Sequence, residues 1–225
     1  MDIITHRLMM VAAKKMVVTQ LYTSSNTSDL STYNYTSVQI GDENASRWIV
    51  VSSGSTGTAN TSATSCTINA VSATLAVNAR QTSGTNQSSA QVWYAKVPTG
   101  TSVTISLVYS GSQSGNAISV FSLIGDVNLG NVGSATSGST LSTSSLTVPQ
   151  NGFVIASLVM YTGNSGTTAS WSPASLTPQT LYSTGGTGGK AQTAYGTTAG
   201  SYSVSATLST GTVTSALAAA VFYEP

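Results

Sequence analysis

Beyond residue 20 the apolar positions recur at every second residue. Val103, Ile105, Leu107 and Tyr109 alternate with Ser102, Thr104 and Ser106. Ala73, Leu75, Val77 and Ala79 alternate with Thr74, Asn78 and Arg80, and Tyr202, Val204, Ala206 and Leu208 with Ser203, Ser205 and Thr207. Successive strand side chains point to opposite faces, so the pattern describes half-buried sheets with hydroxyl-lined outer faces. Thr suits such a face because it is β-branched. Turn signals such as Pro98-Thr99-Gly100 punctuate the strands every ~8–12 residues, the spacing of sandwiches and barrels. No stretch after residue 20 carries a helical period. The expected fold is all-β, a jelly-roll-like antiparallel β-sandwich of about 12–14 strands.

Three runs break the alternation. Ile49–Val51, Val154–Val159 and Ala216–Val221 are apolar on both faces, the mark of central strands covered on both sides. A weak internal duplication is also visible. Thr32–Ile40 followed by Arg47–Val51 matches Thr140–Val148 followed by Gly152–Ala156. Ser89–Val97 then matches Lys190–Thr198, Gly100–Leu107 matches Gly200–Leu208, and Ala117–Ile124 matches Val213–Phe222. The candidate halves are residues 21–125 and 139–225. The polar, Gly-rich stretch between them either links two sandwiches or crosses over within one. The strands apolar on both faces favour one larger two-sheet body over residues 21–225.

Residues 1–20 read differently, as an N-terminal arm. They hold three of the seven basic residues, Arg7, Lys14 and Lys15, and the single histidine, His6. Met9, Ala12, Ala13 and Met16 fall at helical spacing, whereas Met16–Tyr22 reads as a strand. Arg7, Lys14, Lys15 and Met16 are the candidate contacts of an arm that docks on a neighbouring subunit. Met9 or Met10 is an alternative start. Lys14 and Lys15 interrupt the apolar stretch Leu8–Ala13 before a signal-peptide core forms. No apolar run approaches the ~18 residues of a membrane helix.

Composition narrows the function. Charged residues are 6% of the chain, against about 25% in an ordinary domain. Ser and Thr make up roughly a third of the residues. The formal net charge is +1, with one Cys and one His. Seven scattered basic residues do not neutralise a run of phosphates, which argues against nucleic acid as the main partner. One Cys and one His argue against disulfides, Cys-ligated zinc and multi-histidine metal centres. No cofactor is expected.

No catalytic constellation stands out. Asp42 and Glu43 are the only adjacent carboxylates; neighbours on a strand point apart, so they do not face one another across a sugar. The same Asp-Glu-Asn turn could hold Ca²⁺ through oxygens, although its spacing is not that of an EF-hand and a hydrated turn is the favoured reading. A Ser/His/acid triad would need His6, in the arm. Cys66 alternates into a strand and reads as a buried filler. Gly185–Lys190 lacks the phosphate-loop spacing, with Ala191 where Ser or Thr is required. Five Asn-x-Ser/Thr sequons are what chance gives in so hydroxyl-rich a chain. The aromatic residues remain. Tyr33 and Tyr35 share a strand face, and consecutive Trp93 and Tyr94 point one in and one out. They read as sheet packing with hydroxyls at the rim, or as a platform for a sugar or a protein.

Taken together, the segments VSATL (Val71–Leu75), VPTGTSVTISL (Val97–Leu107) and LTVPQNGFVIAS (Leu146–Ser157) resemble the Ser/Thr/Gly-rich β-sandwich auxiliary virion proteins of tailed bacteriophages, over roughly residues 30–225. The resemblance implies a non-enzymatic structural protein located in the virion, most readily a capsid decoration or cement protein. Its partners would be the major capsid protein or tail proteins, together with copies of itself, with a trimer as the suggested oligomer. The alternative is a tail, fibre or spike module that binds a host surface glycan. Neither membrane nor nucleic acid is an expected partner.

Overall fold

The computed structural model describes residues 15–58, 60–162, 166–183, 188–210 and 214–225. They form strands and turns, with no helix among the described residues. The first half supplies β1 (Val17–Asn26), β2 (Leu30–Gln39), β3 (Arg47–Gly57), β4 (Ala63–Ile68), β5 (Val71–Ser72), β6 (Thr74–Ser83), β7 (Asn86–Lys96), β8 (Ser102–Gln113) and β9 (Gly115–Ile124). The second supplies β10 (Asn128–Thr136), β11 (Thr140–Ser142), β12 (Leu146–Val148), β13 (Phe153–Thr162), β14 (Ala169–Ser172), β15 (Thr177–Ser183), β16 (Gly188–Gly196), β17 (Gly200–Tyr202), β18 (Ser205–Leu208) and β19 (Thr214–Tyr223).

The strand orders repeat. The first half forms a sheet β1-β9-β3-β7-β6 facing a sheet β2-β8-β4-β5. The second forms β10-β19-β13-β16-β15 facing β11-β18-β14 and the short pair β12-β17. In each half the first strand pairs with the last and the second with the next to last, all antiparallel. That inward winding is a jelly roll, and it occurs twice. The duplicated segments in the sequence fall on equivalent strands: β2 on β11 and β12, β7 on β16, β8 on β17 and β18, β9 on β19.

The architecture corrects the expectation of one two-sheet body. Two sandwiches pack back to back through their five-stranded sheets, giving four layers and three cores. One core lies inside the first sandwich, around Tyr33, Ile49, Val51, Trp93, Ile105 and Leu107. Another lies inside the second, around Leu146, Val154, Leu158, Val204 and Leu217. The third joins the two five-stranded sheets through Val50, Val92, Phe121, Phe153, Ile155, Ala218 and Phe222. This explains the runs that are apolar on both faces. Ile49 and Val51 serve the inner core while Val50 serves the shared one, so the strand has no polar face. Fully burying each such side chain contributes about 1.5–3 kcal/mol.

The strand count also exceeds the expectation, for a local reason. The two- and three-residue strands β5, β11, β12 and β17 are too short to show a period. β10 occupies the stretch expected to be a linker; with only Leu129 and Ala135 packed against a core, Val132 exposed and a register shift between Leu129 and Val132, its alternation is lost. The arm boundary moves too. β1 begins at Val17, and Met16 is buried in the shared core, so residues 16–20 belong to the body and Met16 is a core residue.

Register shifts interrupt the outermost strands of both five-stranded sheets: β1 at Gln20/Tyr22, β6 at Leu75/Val77, β10 at Leu129/Val132 and β15 at Thr180/Tyr182. Between these edges, β3 pairs with β7 and β9, and β13 with β16 and β19, without a break. A bulge twists an edge and disrupts its row of free backbone groups, which disfavours addition of another strand.

Where the two sandwiches meet, the backbones come close at Gly54. A Cβ there would lie 2.4 Å from Val159 Cγ2 and 3.2 Å from Ala191 Cβ. Hydroxyls surround this contact: Ser157 Oγ donates to Ser53 O (2.8 Å), and Ser88 Oγ pairs with Thr214 Oγ1 (2.8 Å). Gly54→Ala is therefore expected to force the two sheets apart and to cost about 1–3 kcal/mol, the range for an overpacked core. A thermal unfolding midpoint equal to that of the parent would refute this.

Candidate interaction surfaces

The structure places most of the aromatic candidates in the interior. Tyr33 is 0% exposed, Tyr35 6% and Trp93 4%, so they do not form a surface platform. The reason lies in their partners. Tyr33 and Tyr35 sit opposite Leu107 and Ile105 on β8, whose apolar side chains also face the first core. Trp93 and Tyr94 do point to opposite faces, but both faces are covered. Trp93 enters the first core, while the half-buried Tyr94 packs edge-on against Phe222 in the shared core, with ring centroids 5.4 Å apart. Of the arm candidates, Lys15 is exposed and Met16 buried. Arg7 and Lys14 lie outside the described residues.

What these side chains build is a buried polar network at one end of the first sandwich. Tyr33 OH lies 2.6 Å from Gln113 O and 2.8 Å from Ser28 O. Tyr35 OH donates to Asn116 Oδ1 (2.7 Å), and Asn116 Nδ2 donates to Tyr109 OH (2.8 Å) and Gly54 O (3.1 Å). Beside them, Gln91 Oε1 accepts from Ala63 N and Gln91 Nε2 donates to Ala63 O, both at 3.0 Å. Gln87 repeats the motif on Thr61 N and Thr61 O. Two side-chain amides thus act as the missing strand neighbour of residues 61–63. The sequence reading missed both, because the stretch Gln87–Gln91 looks like a solvated face.

Burial raises the phenols of this region. Tyr33 is pushed up to about 12, mainly by desolvation, and Tyr35, Tyr109 and Tyr182 are raised further from the usual value of 10.0 for the same reason. The fold thus holds the neutral phenol, and an unfolded chain releases the proton more easily. Their stabilising contribution is fully present below pH 10 and is lost as the pH rises through 12 and beyond. Alkaline titration is expected to show these four phenolates appearing together with unfolding, as a step above pH 10 in phenolate absorbance that coincides with loss of the β-sheet circular dichroism. Their ionisation near pH 10 in an intact fold would contradict the burial.

A second feature the sequence reading missed is Arg47, at 0% exposure. Its Nε donates to Val97 O (2.8 Å), Nη1 to Gly41 O (2.7 Å), Asp42 O (2.6 Å) and Ile40 O (3.3 Å), and Nη2 to Thr99 O (2.9 Å) and Gly100 O (2.6 Å). Glu43 Oε1 accepts from Gly100 N (2.6 Å), closing the same two loops onto each other. Within the Asp-Glu-Asn turn, the Asp42 carbonyl is thus directed at the guanidinium and the Asn44 carbonyl at the Arg47 backbone N–H rather than at a cation. Desolvation lowers the Arg47 pKa, and the nearby Glu43 and Asp42 carboxylates act in the opposite direction.

The remaining chemistry is sparse. Cys66 is 2% exposed, and burial pushes its thiol up to about 12, the opposite of what a nucleophile requires. Among the described residues, no group of three or more His, Cys, Asp or Glu is placed to hold a metal ion. A shallow recess of about 580 Å³ is lined by Asn60, Thr61, Thr64, Asn78, Arg80 and Ser110. A second, of about 410 Å³, is lined by Tyr22, Ser24, Asn26, Asn34 and Thr36. Neither contains a carboxylate pair or a nucleophile beside a base.

Taken whole, the chain is a tandem jelly-roll protein in which Arg47, Gln87, Gln91, Asn116 and the buried tyrosines are engaged in holding loops and strands. No protein-family model, no curated protein and no solved structure matches it.

Proposed function

We propose that the protein is a non-enzymatic structural component of a bacteriophage virion, a capsid decoration or cement protein. The observation that carries this reading is where the polar chemistry goes. Arg47, Gln87, Gln91, Asn116 and the buried tyrosines serve internal hydrogen bonds, leaving a rigid slab with hydroxyl-covered faces. Such a body supports adhesion rather than turnover. Many-stranded sheets built from non-local pairings open slowly, an advantage for a protein that persists outside a cell without disulfides. The tail or fibre alternative loses support, because three of its proposed sugar-stacking residues lie in the core.

The test adds the purified full-length chain to particles that lack it, followed by sedimentation and electron microscopy. Ordered density on the capsid and greater resistance of the particle to heat are the expected results; failure to co-sediment would overturn the proposal. Removing residues 1–14 tests whether the arm makes the attachment. The deletion must stop before Met16, since a cut at residue 20 would remove part of β1 and a core side chain.

A further inference from the structure

Among the described residues, Arg80 is the one arginine with its side chain at the surface, and no arginine follows it in the chain. It lies in the recess of about 580 Å³, which no carboxylate lines. Register explains how the recess arises. Val77 and Ala79 of β6 enter the shared core, so Asn78 and Arg80 point the other way, opposite Gln91 and Ser89 of β7. Residues 61–63 close over β7: Gln87 holds Thr61, Ser89 Oγ donates to Ser62 Oγ (2.9 Å), and Gln91 holds Ala63. The edge strand β6 extends past this cover, and Asn78 and Arg80 form one wall of the recess. A register shift between Ala63 and Ser65 takes Thr64 out of the β4 ladder and into the recess beside Ser110. Arg80 Nη1 makes one long bond, to Asn60 O (3.3 Å), and the rest of its fork faces solvent.

The hydroxyls of the recess are already oriented. Thr64 Oγ1 donates to Val108 O (3.1 Å). Thr61 Oγ1 donates to Ser62 O (2.9 Å), which leaves Ser110 Oγ as the donor to Thr61 Oγ1 (2.7 Å). A hydroxyl carries a single proton, so Thr64 and Ser110 turn only lone pairs toward a ligand. The recess therefore calls for an anion at the guanidinium and for hydroxyl donors at Thr64 and Ser110. A bare anion meets only the first need and a neutral sugar only the second; an acidic sugar meets both. The second sandwich is built differently at the matching place. Gln192 corresponds to Gln91 in the duplication, and Trp171 Nε1 donates to its Oε1 (3.1 Å), with Thr180 opposite on the edge strand. An indole stands there, and no arginine does.

We propose that this recess of the first sandwich binds an acidic saccharide carrying one negative charge per unit. Arg80 grips the anion through its planar fork, Thr64 and Ser110 accept from sugar hydroxyls, and the Asn78 amide serves either group. One guanidinium matches a single charge, a carboxylate or a phosphodiester. An exposed charge pair contributes little by itself, so the affinity of one site is on the order of 1 mM. Such a site gains strength when many copies are arrayed. It uses none of the aromatic residues and does not rest on the virion role: a chain that binds the saccharide but ignores particles would sink only the latter.

Titration of the full chain with oligogalacturonate, and separately with a sugar-phosphodiester oligomer, is the test, read by amide chemical shifts. Binding of either supports the proposal, and the preferred one identifies the anion. Shifts are expected at Thr64, Asn78 and Ser110, with an affinity that falls as salt rises. Arg80→Gln should weaken binding about tenfold, and Arg80→Lys less, because lysine keeps the charge without the fork. Lys96→Gln removes the same charge from another exposed position and should change nothing. Thr64→Val should weaken the oligomer and leave sulfate unaffected. Sulfate alone should bind about tenfold more weakly than the oligomer; equal affinity would mean an adventitious ion only and would overturn the proposal. So would the absence of shifts with both oligomers at tens of millimolar, equal binding of the neutral methyl ester of oligogalacturonate, or a loss in Lys96→Gln as large as in Arg80→Gln.

Discussion

Arg47→Met is expected to destabilise the protein by about 3–5 kcal/mol, a large part of the 5–15 kcal/mol that holds a typical domain together. The side chain is fully buried and its guanidinium reaches six carbonyl oxygens in two loops, residues 40–42 and 97–100. Methionine fills much of the volume and leaves those oxygens unmet. Each stranded buried acceptor costs about 1–3 kcal/mol, less where water reaches it at the rim. Arg47→Lys keeps the charge but replaces a planar five-donor fork with a compact three-donor ammonium, so it should fall between the parent and Arg47→Met. Denaturant unfolding followed by the fluorescence of neighbouring Trp48 measures both. An Arg47→Met midpoint within about 1 kcal/mol of the parent would show that the loops hold without the guanidinium.

The second sandwich shows why this residue has no counterpart. Gly152 precedes Phe153 as Arg47 precedes Trp48. There the connection is short, and Gly152 N donates to Pro149 O (2.8 Å). A Cβ at Gly152 would lie 2.9 Å from Pro149 O and 3.0 Å from Val148 Cγ1. The tight turn thus closes itself through its backbone. The longer loop of the first half, with Gly41, Asp42 and Glu43, needs an internal donor, and Arg47 supplies it.

The positions of the longer strands along the chain were legible in the sequence because they depend on alternation. Val103, Ile105 and Leu107 must face a core whatever their partners are, and the same constraint acts on Val204, Ala206 and Leu208. The number of layers was not legible. A strand such as Ile49–Val51 shows that both faces are covered but not by which sheet, so two sheets back to back look like one central sheet. The same ambiguity left Tyr33, Tyr35 and Trp93 open between sheet packing and a surface platform. Alternation gives a shared face, and only the pairing with Leu107, Ile105 and Val51 shows that the face is internal. Arg47 did carry a signal: it opens a strand apolar on both faces, where a solvated charge is out of place. The glutamines carried none, since their role depends on residues 61–63 lying beside β7.

Gln91→Leu is expected to be almost as damaging as the loss of Arg47, through a different route. The Gln91 amide makes paired hydrogen bonds with Ala63 N and Ala63 O, the geometry one strand offers another. Leucine has a similar size and offers neither donor nor acceptor. Two buried backbone groups are then left without partners, at about 1–3 kcal/mol each, so a loss of about 2–4 kcal/mol is expected. The damage should be local at first. β4 remains paired with β8 from Ser65 to Ile68, so the start of the strand frays before the sandwich opens. Hydrogen exchange separates this from a general loss of stability: the Ala63 amide should lose most of its protection under conditions where amides of β3 and β13 keep theirs. Gln91→Glu retains the acceptor for Ala63 N but gives up the donor to Ala63 O and places a carboxylate in a site that excludes water. It should therefore recover stability only as the pH falls and the carboxyl takes up a proton. Unchanged exchange at Ala63 in Gln91→Leu would mean that residues 61–63 are held by β8 alone and that the side-chain ladder contributes nothing.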